Sequence, residues 1–132
     1  MDLEILKIAS DTKNHRVLKN CSHFAKFKNP LCGDEMNVSL MVKGEKITDF
    51  AYECKSCIYC QASASILSKK SINKSIKKMR EIIIIANNFF ENASEKFPKE
   101  WKILEKLLNK KNISRKECLL LPFKTLAKAL KS

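Results

Sequence analysis

Apolar and polar residues alternate with a period of two over three short runs in the first half of the chain, and recur at helical spacing over most of the rest. Leu3, Ile5, Leu6, Ile8 and Ala9 predict a short amphipathic helix that ends near Lys13–Arg16. His23–Phe27 alternates as a half-buried strand does. Met36, Val38, Leu40 and Val42 alternate with Asn37, Ser39, Met41 and Lys43. Ile47–Glu53 reads as the return strand, with Thr48, Phe50 and Tyr52 on one face. Lys43-Gly44-Glu45 makes the turn between them, where Gly44 can take a positive φ.

After Cys54 the pattern changes. A helix is expected from Cys57 or Ile58 to Lys70, packing closely on the sheet through Ala62, Ala64 and Ser65. Ser68–Asn73 reads as a polar break. Ile72, Ile76, Met79, Ile82, Ile83, Ala86 and Phe90 then share one helical face. The β-branched run Ile82–Ile85 would suit a buried strand by itself, but the helical phase on both sides predicts a helix. Pro98 fits the first turn of an element whose apolar face is Trp101, Leu104, Leu107 and Leu108, broken by Lys110-Lys111-Asn112. In the last helix Ser114 is the expected N-cap, with Glu117 as its capping-box partner. Leu120, Phe123, Leu126, Ala127 and Leu130 face the core there, and Pro122 is expected in the first turns or at a kink. The chain therefore reads as one α+β domain over residues 1–132, a small antiparallel three-stranded sheet with helices packed on one face.

Composition narrows the class. Hydrophobic residues make up 45% of the chain, which is globular rather than disordered. No apolar run approaches the ~18 residues a membrane span needs. Met1-Asp2-Leu3-Glu4 does not open a secretory leader, so a cytoplasmic protein without membrane partners is expected. In that compartment the six cysteines are expected as ligands or nucleophiles rather than disulfides. The net charge of +12 comes almost wholly from lysines spread along the chain without interleaved aromatics. That is a poor footprint for nucleic acid, and a basic zinc module that binds nucleic acid stands only as an alternative.

Four cysteines flank the predicted hairpin. Asn29-Pro30-Leu31-Cys32-Gly33-Asp34 stands at its entrance, and Cys54-Lys55-Ser56-Cys57-Ile58-Tyr59-Cys60 at its exit. An antiparallel hairpin brings its two ends together, so these segments should be neighbours. Cys118 lies far downstream, in Arg115-Lys116-Glu117-Cys118. Cys32, Asp34, Cys57 and Cys118 read as one metal or sulfur site: three thiolates and a carboxylate make a tetrahedral set suited to zinc, with the carboxylate as the harder, weaker ligand. Cys57 and Cys118 each fall at a predicted helix start, and Arg115 and Lys116 stand beside the latter, which favours thiolate. Both are candidate sulfur acceptors, Cys118 first. No classical active site is present; a persulfide relay of the sulfurtransferase type is the one reaction these residues suggest. His15 and the pair Cys21 and His23 read as loop or strand positions without a ligand role. Cys54-x2-Cys57-x2-Cys60 begins like a ferredoxin run, but Ala64 stands where the fourth cysteine belongs and no proline follows.

The motifs together resemble the IscU/SufU/NifU N-terminal family of iron–sulfur cluster assembly proteins. The carrying residues are P-L-C-G-D at Pro30–Asp34, C-I-Y-C-Q-A-S-A-S at Cys57–Ser65 and R-K-E-C-L-L-L-P-F-K-T-L at Arg115–Leu126, with Lys13-Asn14-His15-Arg16 similar to the family's K-N-P-R. The resemblance puts Cys32, Asp34, Cys57 and Cys118 on the family's three cysteines and its aspartate. It implies an assembly scaffold whose partners are a cysteine desulfurase and apo-protein cluster acceptors. It is closest to the SufU branch, because the interval from Cys57 to Cys118 is long and Glu117 stands where the IscU branch carries histidine. The extra length falls in Asn87–Asn112. That branch implies zinc and sulfur acceptance; the IscU branch implies iron or a [2Fe–2S] cluster. Cys54 and Ser56 replace the glycines usual before the second cysteine, and the residues do not assign a role to Cys54 or Cys60.

Overall fold

The computed structural model describes residues 3–31, 33–91 and 96–131. Three strands, β1 (His23–Lys28), β2 (Glu35–Lys43) and β3 (Lys46–Lys55), form an antiparallel sheet in the order β1-β2-β3. Four α-helices accompany it: α1 (Leu3–Ala9), α2 (Ile58–Ser71), α3 (Ile76–Phe89) and α4 (Lys116–Leu130). The strand alternation places Met36, Val38 and Leu40 of β2 inside, opposite Phe50 and Tyr52 of β3. Each such side chain contributes about 1.5–3 kcal/mol on burial. α2 packs against β3, and α4 lies against β1 and β2 on the same side and touches α2. Asn14 and Arg16 bond the backbone of Tyr52, which covers the free edge of β3 (Tyr52 N to Asn14 O 3.0 Å, Arg16 N to Tyr52 O 2.9 Å).

The hairpin turn has positive φ at both central residues, Gly44 (56°) and Glu45 (64°), the geometry that matches the twist of the flanking strands. A register shift follows between Met41 and Val42. It reverses the pleat, so Ile47 is buried while Thr48 is exposed and donates its hydroxyl to Met41 O at 3.1 Å. Thr48 therefore does not share the buried face of Phe50 and Tyr52, contrary to the expectation from alternation alone.

Three further expectations are corrected. Ser68 and Ser71 are not a polar break but the buried end of α2, their hydroxyls donating to Ser65 O (3.0 Å) and Leu67 O (2.6 Å). The break comes at Asn73 (φ 74°), and Ser75 then caps α3 by accepting from Lys78 N at 3.0 Å. The Trp101 segment is a 3₁₀ helix, Lys99–Lys106, entered just after Pro98. A second 3₁₀ stretch, Lys110–Arg115, occupies the expected loop; Asn112 interrupts it, with its side chain bonded to Leu107 O at 3.0 Å. Hence Ser114 does not cap α4, which starts at Lys116 without a side-chain cap. Pro122 sits inside α4, about two turns from its start, and has no N–H for the Cys118 carbonyl. Ile82–Ile85 is helical, as the flanking phase predicts. Part of the Asn87–Asn112 stretch, residues 92–95, lies outside the described residues. No helix among the described residues is long and apolar enough to cross a membrane.

The small residues of α2 let it approach α4. Ala62, Ser63 and Ala64 are fully buried, and Ser63 Oγ donates to Leu119 O across the contact at 2.8 Å. Ser63→Ala removes that bond without opening a large void, and Leu119 O keeps its place in the helix ladder. The expected cost is about 1 kcal/mol, read from the urea midpoint of the metal-free chain. An unchanged midpoint would mean that the bond does not join the two helices.

Candidate metal centre

The register of the hairpin sets the site. Met36 pairs with Cys54 and Glu35 with Lys55, so the loop entering β2 and the segment leaving β3 lie side by side. The entering loop is closed by backbone bonds from Asn29 N to Asp34 O and from Gly33 N to Asn29 O, each 2.8 Å. Asn29 Oδ1 also accepts from Leu31 N at 2.8 Å. Gly33 has φ 76°, and a side chain there would meet no neighbour, so the demand for glycine is the backbone's alone. The Asn29 amide donates to Glu117 Oε2 at 3.2 Å, which ties the loop to the start of α4. Cys57 is the N-cap residue of α2 and its side chain makes no capping bond. Cys118 is the third residue of α4.

These elements bring Asp34, Cys57 and Cys118 together, with their ligand atoms all within 4.8 Å of one another. A tetrahedral zinc with bonds of ~2.3 Å to sulfur separates its donors by about 3.7 Å, so a small contraction closes the set. Asp34 and Cys57 are half-buried and Cys118 is buried. Asp34 Oδ2 is buried with no hydrogen-bond partner. An acceptor left in that state costs about 1–3 kcal/mol or more, and a cation between the carboxylate and the thiols removes the cost. The donor set thus fits a soft divalent metal with one hard corner. Cys32, the fourth expected donor, lies outside the described residues; its neighbour Gly33 stands in the loop that presents Asp34.

Cys118 differs from its sequence expectation. Burial, then the Cys57 thiol and the Asp34 carboxylate, push its thiol well above the ordinary range. The two cations expected to help are engaged elsewhere: the Arg115 guanidinium lies 5.3 Å from the centre of the Tyr59 ring, and Lys116 pairs with Glu91 at 3.2 Å. Without a cation in the site, Cys118 keeps its proton. Glu117 is drawn below the usual carboxylate range by Lys124 (3.1 Å), with Asn29 adding to it. Its carboxylate is thereby used as a strut.

The Cys54–Cys57–Cys60 run divides between two places. Cys57 joins Asp34 and Cys118, whereas the thiols of Cys54, at the end of β3, and Cys60, in the first turn of α2, neighbour each other. That separation removes the ferredoxin-like use of the run. The Cys60 thiol, then Ser56 and His15, lower the Cys54 thiol to about 6 against the effect of burial. The neighbouring Cys54 thiol, with burial, raises Cys60. Ser56 Oγ is itself buried beside these sulfurs without a partner of ordinary geometry. Cys54 lines a cavity of about 270 Å³ with His15, Lys26, Glu35, Met36 and Lys55, and its N–H points to His15 Nε2 at 3.4 Å. His15 is a loop residue with its ring edge-on to Tyr52, beside Cys54 and outside the metal set. Cys21 is exposed, and His23 bonds Ser22 at 2.9 Å; neither joins a ligand cluster among the described residues. The Cys54–Cys60 contact was missed in the sequence because its cause is local geometry: only two residues separate the strand end at Lys55 from the helix start at Ile58.

A lowered thiol pKa means that thiolate is present above it and lost below it. Alkylation of Cys54 by iodoacetamide in the metal-free chain should therefore rise through about pH 6 and then level off. Cys60→Ala should move the Cys54 inflection upward. A Cys54 inflection that Cys60→Ala leaves in place, followed by peptide mass spectrometry, would refute the pairing.

The model of the NifU-like N-terminal domain matches residues 2–113. It ends before Cys118, whose place beside Asp34 and Cys57 rests on the geometry. The iron–sulfur cluster assembly scaffold protein IscU of Thermotoga maritima is 30% identical over 129 residues, spanning 96% of this chain and 89% of that protein. A crystal structure from Fervidobacterium islandicum AW-1, described as a candidate iron–sulfur cluster assembly scaffold for the SUF system, superposes with a TM-score of 0.87 at 28% identity, covering 98% of this chain and 96% of the other. A NifU-like N-terminal protein from Brucella abortus gives 0.85 at 23% identity over 98% and 91% of the two chains, a likeness of fold. With the sheet, the paired hairpin ends and the long family match in agreement, the chain belongs to the NifU-like N-terminal domain family.

Proposed function

We propose that this chain is an iron–sulfur cluster assembly scaffold that binds zinc, takes sulfur from a cysteine desulfurase and serves apo-protein cluster acceptors in the cytoplasm. The observation that carries the reading is the orphaned Asp34 oxygen in the same site as two thiols, where the hairpin ends meet α4. Cys32, Asp34, Cys57 and Cys118 would hold the metal. Zinc bound there would keep the thiols deprotonated and bring no redox chemistry of its own.

The residues divide the work. Asp34 is the hard donor in a soft set, so it is the ligand most readily released. Release opens one side of the site without unfolding the loop, because the Asn29–Asp34 backbone bonds do not use its side chain. A site thiolate then attacks the outer sulfur of the partner's persulfide. The new S–S bond forms on this chain, and the partner cysteine leaves as thiolate. Cys57 is half-buried and offers the more open sulfur; Cys118, the first choice from sequence, is buried and protonated in the metal-free chain. Glu117 supports the SufU-like reading, since its carboxylate is tied to Lys124 and Asn29 where the IscU branch has histidine. A scaffold for iron or a [2Fe–2S] cluster on the same residues is the second reading, favoured by the name of the Thermotoga relative.

Metal binding here is also folding free energy, about 10 kcal/mol apparent for structural sites. Cys32→Ala and Cys57→Ala should therefore lose zinc and lower the melting temperature, while Cys21→Ala does neither. Equal effects from all three would misplace the site. Metal content and absorption of protein purified without air separate the two readings: colourless with one zinc, or brown with iron and sulfide. Desulfurase turnover on cysteine tests the sulfur step. The wild type should stimulate it, and Cys57→Ser and Cys118→Ser should each cut the gain. Stimulation absent in the wild type, or intact in both variants, would remove the acceptor role.

A further inference from the structure

Two thiols next to the metal centre are left over from the proposed function. The Cys54 and Cys60 thiols are neighbours, one half-buried on the wall of a cavity and one with no exposure at all. Cys57 lies three residues from each, so along an extended chain no more than about 10 Å separates either backbone from the site. Cys60 is close enough to Asp34 to feel its charge. Packing accounts for their burial, and the meeting of two thiols beside a cavity is what it leaves over. Cys60 is part of the hydrophobic core, but it also neighbours a second sulfur, with the Ser56 hydroxyl buried beside both. The arrangement is that of an attacking thiol open to a ligand, with a resolving thiol behind it and out of solvent.

We infer that Cys54 and Cys60 form a reducing dithiol that converts sulfane sulfur carried on the neighbouring site cysteines into sulfide. The inference rests on the sulfur-acceptor reading above. In the first step the Cys54 thiolate attacks the outer sulfur of a persulfide on Cys57 or Cys118. A Cys54 persulfide forms, and the site cysteine leaves as thiolate. In the second step Cys60, giving up its proton, attacks the Cys54 sulfur. The Cys54–Cys60 disulfide forms and sulfide departs with the proton. One persulfide and two thiols thus become one thiol, one disulfide and one hydrogen sulfide. The two electrons on the sulfide come from the two thiols, and an external dithiol returns the disulfide to its starting state. The lowered Cys54 thiol agrees with the role of attacker. The substrate class is a protein persulfide or a polysulfide, and the product is the oxidation state of sulfur that a cluster contains.

The test uses the full chain, metal-free and without air or added thiol, given inorganic polysulfide that carries one sulfane sulfur per chain, with the sulfide already contained in the polysulfide subtracted. The wild type should release about one sulfide per chain and show a Cys54–Cys60 disulfide by peptide mass spectrometry. Cys54→Ser and Cys60→Ser should release roughly tenfold less and retain the sulfur as cyanide-reactive persulfide on Cys57 or Cys118. If Cys60→Ser does not fold, the half-buried Cys54→Ser carries the comparison. Thiols at 54 and 60 that stay reduced in the wild type, or sulfide release undiminished in Cys54→Ser, overturn the inference. A parallel arm replaces polysulfide with a cysteine desulfurase and cysteine. Sulfur found on Cys57 or Cys118 with 54 and 60 still reduced removes the dithiol and leaves the acceptor reading. A dithiol that reacts with polysulfide while the desulfurase loads no cysteine removes the acceptor reading and leaves the dithiol.

Discussion

The antiparallel pairing of β2 with β3 is the constraint on which the rest depends. Its ladder runs from Lys43 opposite Lys46 to Glu35 opposite Lys55, and fixes which residues meet at the open end. A slip of one residue would turn Met36, Val38 and Leu40 outward and separate Asp34 from Cys57 in the same motion. Core formation and site assembly are thus one event. The bulge between Met41 and Val42 lies at the turn end, where it reverses the pleat for Ile47 and Thr48 without disturbing the register beside Asp34.

Cys118 reaches the same place by another route. α4 crosses β1 and β2 and lies against α2, where small side chains and the Ser63–Leu119 bond allow a close approach. The Asn29–Glu117 bond then holds the loop to the first turn of α4, and Lys128 Nζ donates to Lys26 O at 2.7 Å further along. The site therefore stands where three local structures converge: a closed loop, a helix N-cap and a helix first turn. They supply Asp34, Cys57 and Cys118 in turn, and only their convergence brings these three together.

Much of this was legible in the sequence. Period-two alternation located all three strands within two residues of their ends, and the placement of Asp34 and Cys57 at the hairpin ends followed from antiparallel geometry. What failed were the places where a non-local partner overrides a local pattern. Ser68 and Ser71 look like a polar break, yet in a helix their hydroxyls satisfy themselves on the preceding turn, and the surroundings are free to bury them. Thr48 follows the alternation, yet the bulge moves it to the other face. Arg115 and Lys116 stand beside Cys118 in sequence, but Tyr59 and Glu91 claim them in space. The Cys54–Cys60 contact depends on how sharply the chain turns over two residues, which composition does not encode.

Pro122 couples the metal centre to the mechanics of α4. Because it offers no hydrogen to the Cys118 carbonyl, the turn that holds Cys118 lacks one of the bonds that would stiffen it against the rest of the helix. Beyond it, Thr125 Oγ donating to Leu121 O at 2.8 Å and the buried side chains of Leu121, Phe123 and Leu126 keep the body of the helix in place. At the near end the missing backbone bond is offset from outside the helix, by Asn29 on Glu117 and Ser63 on the Leu119 carbonyl. The position of Cys118 is thus set by the loop and by α2 as much as by its own helix, so a change in either neighbour is felt at the ligand.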